Sequence, residues 1–385
     1  MTWTSRAGDS VTISLPRRGA TASKRGCIRT RRLTRYKMDM LWNTLASLGF
    51  NLIRKEKSDI DSKTPRPKED LMISPIYPAA LQSDRVVAAF TGKGTSSQND
   101  YFSFHRPSSE TPDERNILAL NLRTLARHLN FDPVRLTWPN GDWPHSGHVI
   151  KAEECSWVSD PRTGGLMPIT HGNQPLIYDG IVTRTSRFVL GVQGADCPSV
   201  FLCDTKAVVI GMLHAGWKPV VRGIVQNGLS AMLDLGANTS DIVAFISPGV
   251  GDSYNEFRWD DKMEQEVKAV FIEAGREKLL QESSIRHGMT EKEKSVLSSV
   301  LRRECSSGTT FRLVHWVAEE LRNCGVLPVH IIFNPDSTII NRYPTEAGVQ
   351  RPFRYHSYRR ERPSHGLAMS VLFIKHPISE FAHSP

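Results

Sequence analysis

The sequence predicts a mixed α/β fold (mixed α+β layers), in which mixed β-sheets pack against helices. Short runs rich in Val, Ile, Phe and Leu alternate with amphipathic segments of helical period. Several apolar runs follow one another directly, which fits mixed layers better than a doubly wound parallel sheet. Apolar residues make up 39% of the 385-residue chain, which is enough for a sizeable core.

Three segments of the chain differ in composition. Residues 1–78 form a basic extension and linker, which we expect to be largely disordered, with a short amphipathic helix at 38–53. A single catalytic domain is predicted over 79–378, and 379–385 form a tail. The first 37 residues contain ten Lys or Arg and one acidic residue, which accounts for the whole net charge of +9. The folded domain is therefore neutral, and no nucleic acid partner is expected for it.

The composition also bears on location. We expect a cytoplasmic protein, and the alternative is mitochondrial, because the N-terminus is rich in Arg, Ser and Thr and poor in acids. Six cysteines without a CxxC pair indicate a reducing compartment. No apolar run approaches the roughly 20 residues that span a bilayer, so no transmembrane segment is expected. The oligomeric state is left open.

The first half of the domain opens with an apolar, β-branched run that predicts a strand at 85–90. Apolar residues at helical spacing then predict a helix at 113–129. A further strand is predicted at 148–153. The Gly- and Pro-rich stretch 155–175 is predicted to be a long loop. Four strands follow in quick succession, at 179–183, 187–192, 199–204 and 207–214.

The second half of the domain alternates more regularly. An amphipathic helix is predicted after Pro219, because proline favours the first helical turn. Strands are predicted at 241–246, 329–333 and 367–374, where apolar runs recur. Helices are predicted at 260–274 and 310–324, and Gly325 ends the second of them. The polar stretch 283–307 is predicted to be an insertion.

The stretch GADCPSVFLCDTKAVVIGMLHAGW carries the main chemical signal, because Cys197 and His214 stand near its two ends. A two-residue turn at 205–206 would pair Asp204 with Ala207 and place Cys197 directly opposite His214. Side chains that face each other in this way can bind one ion, or the histidine can activate the thiol. The Thr-Lys turn is not of the Asn-Gly type, so the register could slip by a residue.

Two donors do not hold a catalytic metal firmly, since catalytic zinc usually has three protein ligands and one open position. The missing donor is expected to be a histidine that lies upstream of the hairpin. The candidates are His145, His148 and His171. His145 precedes a predicted strand, whereas His171 lies in the predicted loop.

These motifs resemble the YfiH family, and within it the branch of laccase domain-containing protein 1, also called FAMIN. GADCP has its Cys seventeen residues before the His of HAGW, and DGIVT lies upstream. Further likenesses are FTGKG, NLRTLA, SPGVGDSYNEF, GVLPVHI and SYRRE. The resemblance extends over roughly residues 85–375 and implies a YfiH-like catalytic domain.

The resemblance implies a zinc-dependent purine nucleoside enzyme, of a family formerly described as multicopper polyphenol oxidases. Such enzymes cleave adenosine, inosine, guanosine and S-methyl-5′-thioadenosine with phosphate, giving the base and a (methylthio)ribose 1-phosphate. They also deaminate adenosine. The expected partners are therefore a purine nucleoside and phosphate, and the expected enzyme classes are transferase and hydrolase.

The resemblance also implies which residues form the site. His145, Cys197 and His214 are the expected catalytic residues and zinc ligands, because HSGHVIK matches the family pattern at His145. His171 is the alternative third ligand. Phosphate is expected to contact basic side chains, for which the best candidates are Lys93 and Arg360, with Arg359 and Lys218 as weaker choices.

Two other functions are compatible with parts of the sequence, and a third is disfavoured. Cys197 and His214 could form a metal-free thiol hydrolase, which would keep its activity in a chelator. The basic tail could make the protein a non-enzymatic interaction module, which would lose its partner when residues 1–75 are deleted. A laccase-type copper oxidase is disfavoured, because the thirteen histidines include no HxH pair.

Overall fold

The structure is a computed structural model, and the chain divides into two compact units, residues 1–67 and 68–385. The residues that it describes are 2–4, 10–12, 78, 81, 83, 85–93, 102–104, 112–139, 145–250, 257, 261–281, 287–288, 290–302, 309–342, 353–362 and 365–375. In the first unit they form two antiparallel strands, β1 (Thr2–Thr4) and β2 (Ser10–Thr12). The rest of the predicted extension, the helix at 38–53 and the tail lie outside the described residues.

The second unit contains the predicted mixture of strands and helices. Its strands are β3 (Val86–Phe90), β4 (Leu136–Thr137), β5 (Val149–Lys151), β6 (Ser156–Ser159), β7 (Leu166–Ile169), β8 (Gly180–Thr183), β9 (Val189–Gly194), β10 (Ser199–Asp204), β11 (Val209–His214), β12 (Ile242–Ile246), β13 (His287–Gly288), β14 (Thr309–Thr310), β15 (Ile331–Phe333) and β16 (Ala368–Ile374). Its α-helices are α1 (Pro112–Leu129), α2 (Trp217–Val221), α3 (Ile224–Asp234), α4 (Asp261–Glu273), α5 (Glu291–Leu301), α6 (Leu313–Asn323) and α7 (Tyr358–Glu361). Short 3₁₀ turns occupy Pro133–Arg135, Ala152–Glu154, Thr239–Asp241, Glu277–Gln281 and Pro328–His330.

Most of these strands belong to two mixed sheets. The larger has the order β15-β12-β10-β11-β8-β5, and the smaller has the order β3-β16-β9-β4. The pairs β12–β15, β5–β8 and β4–β9 are parallel, and the other pairs within the two sheets are antiparallel. The mixed α/β prediction is therefore confirmed.

The second unit is built in four layers, helix–sheet–sheet–helix. Alternation along β10 shows this, since successive side chains of a strand point to opposite faces. Val200 and Leu202 pack in the cluster that includes residues of α3 and α6, whereas Phe201 and Cys203 pack in the cluster that includes residues of the smaller sheet. The outer face of the smaller sheet packs against α1, for example through Leu125. None of the described helices has both the length and the hydropathy needed to span a bilayer.

Two segments contain structure that the sequence interpretation missed. The predicted loop 155–175 contains the antiparallel hairpin of β6 and β7. The predicted insertion 283–307 contains α5, whose first turn has a capping box formed by Thr290 and Glu293. The Thr-x-x-Glu spacing is a recognisable helix-start signal.

The turn of the β10–β11 hairpin is longer than predicted. Asp204 Oδ1 accepts hydrogen bonds of 2.8 Å from the backbone N–H of Lys206 and that of Ala207. Its carbonyl accepts from the N–H of Val208, which has a φ of +57°. These bonds stabilise a four-residue loop at 205–208, because an aspartate can satisfy backbone donors two and three residues ahead of it.

The hairpin register is consequently two residues away from the predicted one. His214 pairs with Ser199 rather than with Cys197, so the predicted direct pairing was wrong. The shift is even, and side chains of a strand alternate with a period of two, so each residue keeps its face of the sheet. Cys197 lies in the loop just before β10 and remains next to His214.

Candidate metal centre

Three donor side chains meet at one edge of the larger sheet. The ligand atoms of His145, Asp179 and His214 all lie within 4.8 Å of one another. His145 lies shortly before β5, Asp179 lies immediately before β8, and His214 is the last residue of β11. Because β5 and β8 are parallel and β11 is antiparallel to β8, the starts of the first two strands meet the end of the third.

Cys197 borders this cluster through His214. The Cys197 thiol lies close enough to the His214 imidazole to help raise the pKa of that ring. A Cβ on Gly216 would lie 3.2 Å from Cys197 Sγ and 3.3 Å from His214 Nε2. The absence of a side chain at Gly216 therefore leaves open the space that the sulfur and this ring nitrogen share.

Asp179 contacts both His214 and the loop that follows His145. Its Oδ1 lies 3.5 Å from His214 Nδ1, and both side chains are fully buried. Its Oδ2 accepts hydrogen bonds from the backbone N–H of Ser146 at 2.6 Å, the Ser146 hydroxyl at 2.8 Å and the N–H of Gly147 at 2.9 Å. Since Nδ1 of His214 faces the carboxylate, Nε2 is the ring nitrogen that points away from it and would bind a metal.

The sequence interpretation treated Asp179 only as the first residue of a strand and missed this supporting role. The sequence did indicate that Asp179 needs partners, because an acidic residue directly before a buried strand must have its charge satisfied. It could not indicate which residues these partners are, because they come from two other segments.

The two histidines have opposite electrostatic environments. Burial lowers the pKa of His145 to about 4, helped by the nearby positive charges of His214, Lys218 and Arg222. For His214, burial acts in the same direction, but its hydrogen bonds to Asp179 and Cys197 outweigh it and raise its pKa to about 9. At neutral pH His145 is therefore a neutral imidazole that is ready to bind a metal. A metal at His214 must displace a proton, so metal binding should release protons.

The residues present fit a divalent metal ion. The Nδ1 atom of His145 is buried and has no hydrogen-bond partner within the described part of the chain. An orphaned buried imidazole nitrogen is costly unless something else satisfies it. Imidazole and thiolate donors with a carboxylate behind one imidazole are a typical zinc environment. Asp179 already accepts several hydrogen bonds, which favours Cys197 over Asp179 as the third ligand.

His171 is not part of this cluster. It is exposed in the turn after β7, whereas His145 is half-buried beside His214, with ring centroids 6.0 Å apart. His148 is also exposed, and its Nδ1 lies 3.1 Å from the Ile177 carbonyl oxygen. The geometry thus favours His145 among the three upstream candidates.

Replacing His145 by alanine should lower the affinity for zinc at least about tenfold, because it removes a direct donor and even supporting residues are worth that much. Replacing His171 by alanine should leave the affinity unchanged, since this side chain is exposed and does not belong to the donor cluster. Competition with a chromophoric chelator measures both affinities. The opposite pattern would move the site to His171.

The three predicted phosphate ligands are engaged with other groups. Lys93 Nζ lies 2.5 Å from Glu361 Oε1, and Lys218 Nζ lies 2.5 Å from Glu266 Oε1. Lys218 stands closest to the chemistry, since its charge contributes to the lowered pKa of His145. Glu266 is more than half exposed, so Lys218 can exchange this partner for an anion at little cost.

The guanidinium of Arg360 is occupied by hydrogen bonds within the protein. Its Nη1 donates to the carbonyls of Thr338 and Ile339, and its Nη2 donates to the carbonyl of Tyr355 and to Glu361. The guanidinium is buried and ties three segments together, which leaves its prediction as a phosphate ligand without support.

The SYRRE segment nevertheless contacts the loop that carries Asp196 and Cys197. Asp196, with a φ of +84°, accepts hydrogen bonds from the Thr338 hydroxyl at 2.7 Å and from the backbone N–H of Arg359 at 2.8 Å. Asp196 therefore shapes the loop that presents Cys197 and docks the C-terminal segment against it.

Comparisons with known proteins agree with this architecture. A family model described as multi-copper polyphenol oxidoreductase laccase matches residues 86–375. The purine nucleoside phosphorylase ORF3 of Streptomyces griseus is 31% identical over 138 residues, which cover 36% of this chain and 50% of that protein. The purine nucleoside phosphorylase LACC1 of Mus musculus is 28% identical over 195 residues, which cover 49% of this chain and 39% of that protein. The chain thus spans half or less of the length of these two relatives.

A solved structure shares the fold. The hypothetical protein YfiH of Bacillus licheniformis superposes with a TM-score of 0.52 at 22% identity, covering 75% of this chain and 93% of that one. The four-layer arrangement of mixed sheets and helices therefore corresponds to a known fold.

Proposed function

The chain belongs to the multi-copper polyphenol oxidoreductase laccase family, and from this premise we propose that it is a zinc-dependent purine nucleoside phosphorylase. The single observation that carries the proposal is the cluster of His145 and His214 beside Cys197, with Asp179 behind it. The names of the relatives support the reaction class, and the donor set supports the metal.

Zinc is proposed in preference to copper despite the family description. The donors are one thiol and two imidazoles, which suit a zinc site that keeps one position open. Multicopper sites need closely spaced histidine pairs, and the sequence contains no HxH. An oxidase function is therefore not proposed.

In the proposed reaction, a phosphate oxygen attacks C1′ of the ribose. The bond between C1′ and the purine nitrogen breaks, and its electron pair leaves with the base, which then takes up a proton. The products are the free purine and ribose 1-phosphate. A bound zinc ion supplies Lewis-acid polarisation of an oxygen or nitrogen and lowers the pKa of a bound water molecule.

The side chains of the protein have separate tasks in this scheme. His145, Cys197 and His214 bind the metal, and Asp179 keeps the His214 ring oriented. Lys218 is the basic group best placed to attract phosphate, since it lies near His145 and pairs with a largely exposed glutamate. Lys93 is a second candidate, although Glu361 neutralises it.

Adenosine deamination is a second reaction that we propose for the same centre. Water adds to C6 of the purine and ammonia leaves, giving inosine, as in other zinc deaminases. This reaction needs no phosphate, so phosphate dependence separates the two activities. S-methyl-5′-thioadenosine is proposed as a further substrate of the phosphorolysis.

The proposal is tested by incubating purified protein with adenosine, inosine, guanosine or S-methyl-5′-thioadenosine, with and without phosphate. Chromatography should detect free base and a sugar 1-phosphate only when phosphate is present, and inosine from adenosine in both conditions. If zinc-loaded protein releases no base from any of these nucleosides, the proposed phosphorylase function is wrong.

A metal-free thiol hydrolase is the second candidate, and the proximity of Cys197 to His214 favours it. Removing the metal with a chelator distinguishes the two. We expect dialysis against a chelator to abolish turnover and zinc to restore it. Unchanged turnover in the metal-free protein, verified by elemental analysis, would favour the thiol dyad.

A further inference from the structure

The backbone that carries His145 is strained. His145 has a φ of +49° and Gly147 a φ of +73°, so a non-glycine residue occupies the left-handed region at the edge of the site. Such a conformation persists only where the surrounding structure holds it, and it concentrates at functional positions. The loop 145–147 must therefore be clamped from outside.

Three side chains provide this clamp. Asp179 holds the N–H groups of Ser146 and Gly147 from the side of the sheet. From the helical side, Arg222 Nη1 donates to the carbonyl of His145, and Asn227 Nδ2 donates to the carbonyl of Gly147 at 2.9 Å. Of these three, only Arg222 bonds to the backbone of the metal ligand itself.

His145 depends on this clamp more than His214 does. The Nδ1 atom of His214 faces Asp179, which orients the ring directly. The Nδ1 atom of His145 has no such partner among the described residues. The direction in which His145 presents its ring is therefore set by its backbone, and the backbone is held by Arg222.

Arg222 is itself well anchored. It lies between α2 and α3, and its Nη2 lies 2.9 Å from Glu273 Oε2 on α4. A Cβ on Gly147 would lie 2.9 Å from the Arg222 carbonyl oxygen and 3.0 Å from its Cβ, so the two segments are in close contact. The Arg222 side chain is thus held by its backbone between α2 and α3 and by Glu273 at its guanidinium, so it can fix the position of the loop 145–147 relative to these helices.

We propose that Arg222 is a positioning residue, which holds His145 in its metal-binding orientation through the His145 carbonyl. The inference rests on the proposed metal site but not on the identity of the substrate. Ser146 and Arg222 also line a cleft of about 850 Å³ on the helical side, so the Arg222 guanidinium lies beside an open space rather than in the apolar core. Its removal should therefore affect the loop more than the core.

The test compares R222M with E273Q in the full-length protein. R222M removes the bond to His145, whereas E273Q removes only the negative charge on α4, because the glutamine amide oxygen can still accept from Arg222 Nη2 and the bond to His145 is untouched. We expect R222M to weaken zinc binding about 10- to 100-fold, the usual effect of losing a supporting contact, and E273Q to bind zinc as the unchanged protein does. R222K, which keeps one donor, should fall between them.

Two measurements keep the outcomes distinct. Zinc affinity comes from competition with a chromophoric chelator, and the absorption spectrum of the cobalt-substituted protein reports the geometry of the ligands. R222M should change the visible cobalt bands, whereas E273Q should not. If R222M fails to fold, R222K carries the same comparison.

Equal affinity and identical cobalt spectra for the unchanged protein, R222M and R222K would overturn the role of Arg222 and leave the proposed function standing. If the unchanged protein binds no zinc, both proposals fail. If it binds zinc without phosphorolysis, only the proposed function fails.

Discussion

Replacing Cys197 by alanine is expected to reduce kcat/KM for nucleoside phosphorolysis by about 10³-fold or more, because removing a residue of a unit that acts together removes most of its effect. Without the thiolate, two imidazoles remain, and two donors do not hold a catalytic zinc firmly. The proposed adenosine deamination should be lost in parallel, since it is assigned to the same centre. Product chromatography measures both rates, and elemental analysis measures the bound zinc.

Cys203 provides the matched control for this prediction. It lies in the same hairpin, but its thiol is buried in the cluster between the two sheets. Cys203→Ala should cost about 1 kcal/mol of stability through lost packing and leave zinc content and turnover unchanged. Full turnover of Cys197→Ala on adenosine and inosine would contradict the account.

Replacing Asp179 by asparagine is expected to weaken zinc binding by about 10- to 100-fold and to reduce turnover with it. The carboxylate accepts from His214 through one oxygen and from the loop 145–147 through the other. An asparagine has the same shape, but its amide nitrogen cannot accept, so one of the two sides loses its partner. The loss of this buried partner should cost about 1–3 kcal/mol of stability.

The stability of the metal-free protein should change with pH in a direction that the pKa of His214 determines. Asp179 and Cys197 raise the pKa of His214 to about 9, above the ordinary value of 6.5. Protonated His214 therefore contributes stability that is fully present below about pH 6.5 and is lost as the pH rises through about 9. The difference in the free energy of unfolding between the unchanged protein and Asp179→Asn should shrink over that interval.

Asp160→Asn is the control for a buried aspartate elsewhere. Asp160 is also buried, and it accepts bonds from Arg162 N and from Thr163 Oγ1 at 2.9 Å in the β6–β7 turn. Its replacement should lower stability without changing zinc affinity. If Asp179→Asn and Asp160→Asn bind zinc equally well, Asp179 supports the fold but not the metal.

Local sequence patterns determined much of the fold. The strand Ser199–Asp204 was predicted with its observed bounds, because an apolar run stands between Pro198 and the turn-forming Asp204. The helix at 113–129 differs by one residue from Pro112–Leu129, since its apolar spacing is regular. The four-residue loop at 205–208 was missed, because the side chain of Asp204 decides it and not the two residues at the centre of the turn.

The site was predictable to a lesser degree. Cys197 directly precedes the hairpin that ends at His214, so strand pairing alone brings the two residues near each other. Asp179 meets His214 across 35 positions, and Arg222 meets His145 across 77 positions. Such contacts depend on which strands become neighbours, and no local pattern gives this. The partners of the predicted phosphate ligands were equally unpredictable from local sequence, because Lys93 and Glu361 are 268 positions apart.

X-ray absorption at the zinc edge of the purified, zinc-loaded protein tests the central claim most directly. The account predicts a four-coordinate ion with one sulfur at about 2.3 Å, from Cys197, and two imidazole nitrogens at about 2.0–2.1 Å, from His145 and His214. The sulfur signal should vanish in Cys197→Ala. A first shell made only of nitrogen and oxygen in the unchanged protein would contradict the account and assign the third ligand to Asp179.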